Sequence, residues 1–261
     1  TKKGTGSPIL LIHDTLPGAS GYEWSKIEDE LAIDHTVYTV DLLGCGRSDK
    51  SSITYTNFVY VQMIGDFIKK IIGQKTDVIA SGFSGSFVTM ACHNEKELFN
   101  KIMLVNPPSL TQLKQMPNRK DRLLKAALEI PIFGTLVYHM IVSRDNINNL
   151  FIEKMYYNPF HVDNQMADAY YEAAHKGGYY TRFLYSSLAA KYININICHA
   201  LKALDNSIYI VEGETEPNGK AVTDDYCASN PAIEVSVLKE TKHLPHVEAP
   251  EAFLEQVKIF F

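Results

Sequence analysis

Val78-Ile79-Ala80-Ser81-Gly82-Phe83-Ser84-Gly85-Ser86-Phe87-Val88 is the stretch that decides the fold. An apolar run leads into a cluster of small residues, and a helix-compatible stretch follows with no loop between them. A strand that turns straight into a helix strains the corner residue. It also needs small residues two positions to either side, where the two backbones nearly touch. Centred on Ser84, those positions are Gly82 and Ser86. The corner side chain then projects from the sheet edge beside the free amides of the helix N-terminus. A hydroxyl held there is placed to attack a carbonyl, provided that a base and an acid arrive from elsewhere in the chain.

Outward from this corner, apolar runs alternate with helix-like stretches. Strands are expected near 8–12, 36–41, 76–81, 101–106, 207–212 and 233–238, and helices near 22–32, 57–73, 85–93 and 250–261. That alternation predicts an α/β fold with a mostly parallel sheet flanked by helices. From about 108 to 205 the alternation stops and the sequence turns helix-like. Two units follow: 1–107 with 206–261 as the core domain, and 108–205 as a helical insertion. Within it, 130–142 is too short and broken to span a bilayer, and reads as a helix with a buried face started by Pro131.

The candidate base lies in Thr241-Lys242-His243-Leu244-Pro245-His246-Val247-Glu248-Ala249-Pro250, with His246 as the competitor of His243. The candidate acid follows the run Ser207–Val211, in Glu212-Gly213-Glu214-Thr215-Glu216-Pro217. Glu214, Asp224 and Asp225 compete with Glu216, and a solvated acidic loop is the plain alternative.

Several segments together resemble the α/β-hydrolase family. Leu10-Leu11-Ile12-His13-Asp14 is similar to its apolar strand ending in His-Gly. Asp41-Leu42-Leu43-Gly44-Cys45-Gly46-Arg47-Ser48 is similar to its D-x-x-G-x-G-x-S turn. Lys101–Pro107 resembles the strand before the cap, and His243-Leu244-Pro245-His246 resembles the catalytic-histidine loop. The resemblance covers roughly 8–107 and 206–261, and the order serine, acid, histidine is the family's. It implies Ser84 as nucleophile, His243 as general base and Glu216, three residues after Gly213, as the acid. It also implies an oxyanion hole made by the backbone amides of Gly85 and Thr15, and a cap over the site formed by 108–205. Two departures stand out: Asp14 replaces a glycine, so a carboxylate pointed inward would oppose a developing oxyanion, and Ser86 replaces the second small residue. The family also implies one or two strands before Pro8, so a preceding segment is expected, because the chain opens at Thr1.

The function expected on this basis is serine-dependent hydrolysis of a small ester, thioester or lactone through an acyl-enzyme, with no cofactor and no metal. The alternatives are a C–C bond hydrolase of the same fold and a catalytically silent ligand-binding protein. The partner is then a small acyl substrate. Tyrosines of the insertion, Tyr157 among them, are candidates to line its pocket. A chain of 261 residues, 46% hydrophobic, suffices for one such domain with an insertion. The net charge of −5 gives no electrostatic reason to expect nucleic acid. Cys45, Cys92, Cys198 and Cys227 form no C-x-x-C pair or zinc spacing, which predicts free thiols and a cytoplasmic setting; an anchor or signal on a preceding segment is the alternative. Gly44-Cys45-Gly46 lacks the dinucleotide-binding spacing, so a tight turn around a buried Cys45 is expected.

Overall fold

The structure is a computed structural model and describes residues 1–261. Seven strands form one sheet: β1 Lys2–Lys3, β2 Ser7–Ile12, β3 His35–Val40, β4 Thr76–Ser81, β5 Phe99–Val105, β6 Ile208–Gly213 and β7 Glu234–Leu238. Their order is β1-β3-β2-β4-β5-β6-β7. Only β1 runs antiparallel, on β3; every other pairing is parallel. The six strands read from sequence fall within two residues of their expected limits. Lys2–Lys3, outside the strands expected from sequence, forms a short edge strand, and a turn follows at Gly4 and Gly6, both at positive φ.

Successive strand residues feed opposite faces, which is why the central strands are apolar throughout. Leu10, Ile12, Val78, Ala80, Leu104 and Ile210 face one core, closed by the helices Asn57–Phe67 and Ser84–Asn94. Ile9, Leu11, Ile79, Met103, Val105 and Val211 face the other, closed by Trp24 and by Phe253 and Val257 of the C-terminal helix Pro250–Phe260. The expected 57–73 helix is present, its last turn Ile68–Ile72 widened to a π-helix and stopped by Gly73 at φ 75°. The 22–32 region is split into a 3₁₀ turn, Gly21–Trp24, and one α-turn, Glu28–Leu31. The helix Gly219–Ser229 lacks a sequence signal strong enough to predict it.

Between β5 and β6 the chain is helical, from Leu110–Leu113 to Cys198–Ala203. This insertion has its own core of Tyr138, Phe151, Met155, Tyr156, Met166 and Tyr170. Ala19, Leu244 and Val247 from the loops at the sheet edge pack into it. The helix Pro131–Ile141 starts at its proline as expected, but its buried face is narrow: Gly134 and Tyr138 are buried, while Ile132, Phe133, Leu136 and Met140 are exposed. No single helix is long and apolar enough to cross a membrane; one helix pair passes that test only jointly, bent by 95°.

Candidate active site

Parallel strands place their C-terminal ends on one edge, and the loops leaving β2, β4, β6 and β7 meet there. The β4 corner differs from its expected position. The strand ends at Ser81, the helix begins at Ser84, and the residue between them at positive φ is Gly82, at 53°. The corner is therefore Gly82, flanked two residues away by Ala80 and Ser84, not Ser84 flanked by Gly82 and Ser86. Ser84 lies in the first turn of the helix, fully buried. Its Oγ donates to His13 O at 2.6 Å and lies 3.0 Å from Thr15 Oγ1. Its hydroxyl is thus committed to the β2 loop and not to an imidazole.

Asp14 fills the space in front of Gly82. A Cβ built on Gly82 would lie 2.2 Å from Asp14 Cγ, so the carboxylate occupies the volume of a corner side chain. Asp14 Oδ1 accepts from the amides of Thr15 at 2.6 Å and Phe83 at 2.8 Å. The amide pair at this site is Thr15 with Phe83, the residue after the corner. The Gly85 amide, expected as the second donor, is spent on Gly82 O within the helix turn. Asp14 Oδ2 lies 3.3 Å from His243 Nε2, and His243 Nδ1 lies 3.2 Å from Glu216 Oε1. The order across the site is Glu216, His243, Asp14, and a glycine backbone. Glu216 and His243 meet as expected; Ser84 does not join them.

Each member is held from behind. Leu42 N–H donates to His13 Nε2 at 3.0 Å, which leaves the His13 ring proton on Nδ1, bonded to Asp14 O at 2.6 Å. Asn106, at the end of β5 with φ 42°, accepts from Gly213 N–H and donates to the carbonyls of Lys242 and His243. It ties the acid-bearing and histidine-bearing loops together. The Glu248 carboxylate accepts from Tyr157 N–H at 2.6 Å and Lys242 N–H at 2.7 Å, and His243 N–H donates to Met155 O. The insertion therefore buttresses the histidine loop. Sequence reading missed the roles of Gly82, the Phe83 amide, Asn106 and Glu248. A non-glycine at positive φ, like Asn106, leaves no trace in a single sequence.

The competing residues have other occupations. His246 is buried, 3.2 Å from the buried Glu23. Glu214 accepts from the Glu240 amide at the surface. Gly44 and Gly46 have φ of 87° and 45°, as a tight turn requires, with Asp41 stapling it through the amides of Gly21 and Arg47. Burial pushes the Cys45 thiol far up, so it is inert.

Electrostatics set the state of the site. Burial pulls the His243 imidazole down, but the bonds to Asp14 and Glu216 more than offset it and push it up to about 10. At neutral pH it is an imidazolium between two carboxylates. The Asp14 side chain is only 4% exposed, against 19% for His243 and 21% for Glu216, so solvent meets the site along the imidazole edge. Two clefts of ≈ 760 and ≈ 960 Å³ lie elsewhere. One is lined by Tyr156, Tyr157 and His161, the other by Tyr22, Asp41 and Arg47; neither includes Asp14, Ser84, Glu216 or His243. Tyr157, expected above the site, belongs to the first of these.

The chain is 29% identical over 109 residues to 2-hydroxy-6-oxo-6-(2'-aminophenyl)hexa-2,4-dienoic acid hydrolase of Metapseudomonas resinovorans, a match covering 41% of this chain and 38% of that protein. The matched curated relatives are spanned over only 31% to 38% of their own length. Among solved structures, a serine hydrolase involved in carbazole degradation superposes with a TM-score of 0.79 at 18% identity, over 99% of this chain and 92% of that one. The epoxide hydrolase CorEH superposes with a TM-score of 0.80 at 16% identity, over 100% and 93%. Both share the fold. The model of the alpha/beta hydrolase family matches residues 9–256, and this chain belongs to that family.

Proposed function

We propose that this chain is a small-molecule hydrolase whose reaction centre is the Asp14–His243–Glu216 array and not a serine. One observation carries this: the group that meets His243 Nε2 is the Asp14 carboxylate, and the strand-to-helix corner is a glycine. Glu216 orients the imidazole through Nδ1, His243 moves protons at Nε2, and Asp14 presents an oxygen to whatever enters along the imidazole edge. Acyl transfer through Ser84 loses its support, because the Ser84 proton goes to His13 O and no imidazole is within the bonds it makes. The segment 108–205 acts as the cap, and its Met155 carbonyl holds the histidine loop in register.

A non-catalytic, ligand-binding role is the second reading. In its favour is a carboxylate at each nitrogen of the His243 ring, an arrangement that pushes the imidazole up and leaves it no vacant site to accept a proton. Hydrolysis of a panel of small esters, lactones and epoxides, with Ser84→Ala, His243→Ala and Glu216→Gln compared, separates the two. Expected are a loss of ~10²–10⁴ for His243→Ala, a smaller loss for Glu216→Gln, and a change of no more than a few-fold for Ser84→Ala. A fluorophosphonate probe is expected to leave the protein unlabelled. Labelling at Ser84, or loss of activity in Ser84→Ala with retained folding, would restore the serine mechanism. A wild type inert toward the whole panel would favour the binding role.

A further inference from the structure

We propose that the elbow formed by the helices Arg119–Glu129 and Pro131–Ile141 is a docking surface for an anionic lipid bilayer, lying in the headgroup layer without crossing it. The surface is independent of the reaction at His243.

The elbow is built rigid. The two helices meet at 95°. Pro131 pushes Ile130 out of helical geometry, to ψ 126°, and starts the second helix itself. Gly134 lets the two backbones close up: a Cβ there would lie 1.8 Å from Leu128 O. The buried Arg182 clamps both arms, donating to Glu129 O and to Thr135 Oγ1, each at 3.3 Å. The outward faces are thus fixed before any partner arrives, and docking has no backbone to order.

The second helix presents apolar side chains to water. Ile132, Leu136 and Met140 recur every fourth residue and, with Phe133, form one stripe opposite the buried Gly134 and Tyr138. Ile132 is 86% exposed. On the first helix Leu123 is also exposed, one turn on from Arg119 and Lys120. A contiguous apolar stripe left in water marks an interaction surface, because burying it would be favourable at every position. Tyr179, exposed, stands beside the elbow with its carbonyl bonded to the same Arg182. Its amphipathic ring suits the level of lipid headgroups.

Charge selects the occupant. The stretch 114–141 carries five Lys or Arg against two acids, in a chain of net charge −5. Both acids are already neutralised within the insertion, Asp121 by Lys191 and Glu129 by Lys125. Lys114, Arg119, Lys120 and Arg122 are exposed and make no ion pair. A second copy of this chain laid on the elbow about a two-fold axis would set these free cations against their own kind. A nucleic acid would meet the cations but leave the apolar stripe in water. Anionic headgroups over hydrocarbon satisfy both, with the cations at phosphate level and Ile132, Phe133 and Leu136 below it. Each arm has 11 residues, so it is about 16 Å long, against about 30 Å of bilayer hydrocarbon. The bent pair therefore lies in the interface and does not span it.

Flotation of the full chain with vesicles of equal parts phosphatidylglycerol and phosphatidylcholine tests this. Binding is expected at low salt, at least about tenfold weaker on pure phosphatidylcholine. Arg119→Gln with Arg122→Gln should weaken it at least about tenfold. Ile132→Ser with Leu136→Ser should do the same by removing the apolar insertion, with a urea midpoint close to that of wild type because both side chains are exposed. Phe133→Trp should shift to bluer emission when vesicles are added, against the constant background of the single, buried Trp24. No flotation with the anionic vesicles at low salt overturns the proposal. So does flotation that both paired variants leave unchanged, or emission from Phe133→Trp that vesicles do not shift, since binding would then lie elsewhere. A chain that dimerises through Ile132 and Leu136 and does not float overturns the lipid assignment in favour of a second copy. Nucleic-acid binding that is lost in Arg119→Gln with Arg122→Gln, without flotation, overturns it in favour of a polyanion.

Discussion

A Cβ on Gly82 would lie 2.2 Å from Asp14 Cγ, so the Asp14 carboxylate can sit where it does only beside a glycine at position 82. Gly82→Ser should therefore destabilise by about 2–4 kcal/mol, from overpacking against a buried carboxylate and from a side chain at φ 53°. Asp14→Gly combined with Gly82→Ser should recover most of that loss, because the space and the amide pair are vacated together. The double variant should also gain fluorophosphonate labelling at position 82, where a hydroxyl would face His243 Nε2. Denaturant midpoints of the full cycle and probe labelling check this; additive midpoints with no labelling would show that the two sites are not coupled. Both residues were visible in the sequence, and Asp14 stood out as a carboxylate that would oppose an oxyanion. Their partnership was hidden because the small-x-small pattern fits about position 82 and about position 84 alike. Only the backbone angle separates the two frames, and no side chain in the stretch reports it.

The elements were easier to read than their junctions. Buried parallel strands show as apolar runs, so β2 to β7 could be placed from sequence, whereas β1 is two lysines with no pattern to see. The same runs explain why Glu216 and His243 could be paired in advance: each follows its strand at a short, countable distance. What sequence could not give was the joint charge of the loops after β2, β6 and β7, where Asp14, Glu216 and His243 clamp three elements with one proton. The folded imidazole titrates at about 10, above its ordinary value of 6.5. The folded state thus holds a proton that the unfolded chain releases between those values. The contribution of this clamp is complete below pH ~6.5 and falls as pH rises toward about 10. Subtracting the pH–stability curve of His243→Gln from that of wild type should isolate this slope. The His243 ring resonances should titrate near the same value in wild type and move down in Asp14→Asn. A ring titrating at its ordinary value would refute the clamp.

At the scale of the whole molecule, a second buried acid–imidazole pair lies beneath the site and joins parts that the sheet alone does not. Glu23 sits on the turn Gly21–Trp24, fully buried, 3.2 Å from the buried His246 of the C-terminal turn Pro245–Glu248. Trp24 stacks on His246 at 4.3 Å, and Phe253 of the last helix closes the other side. The other Glu23 oxygen accepts from the Asp14 amide at 3.3 Å and the Tyr170 hydroxyl at 3.4 Å. One carboxylate thus links the β2 loop, the insertion and the C-terminus. Burial alone would raise its carboxyl, but His246 outweighs that and holds it below the usual range. The contribution of the pair is present above the ordinary carboxylate range and is lost as pH falls through the lowered value. His246→Leu strands the buried Glu23 carboxylate and Glu23→Leu leaves the buried imidazole without its neighbour, so each alone should cost about 2–3 kcal/mol or more. The double variant Glu23→Leu with His246→Leu should cost clearly less than the sum, because neither buried polar side chain is left without the other. Urea midpoints of the three variants decide the matter. Strict additivity would mean that the two side chains merely fill space, and that the insertion and the C-terminal turn are held to the core by their apolar contacts alone.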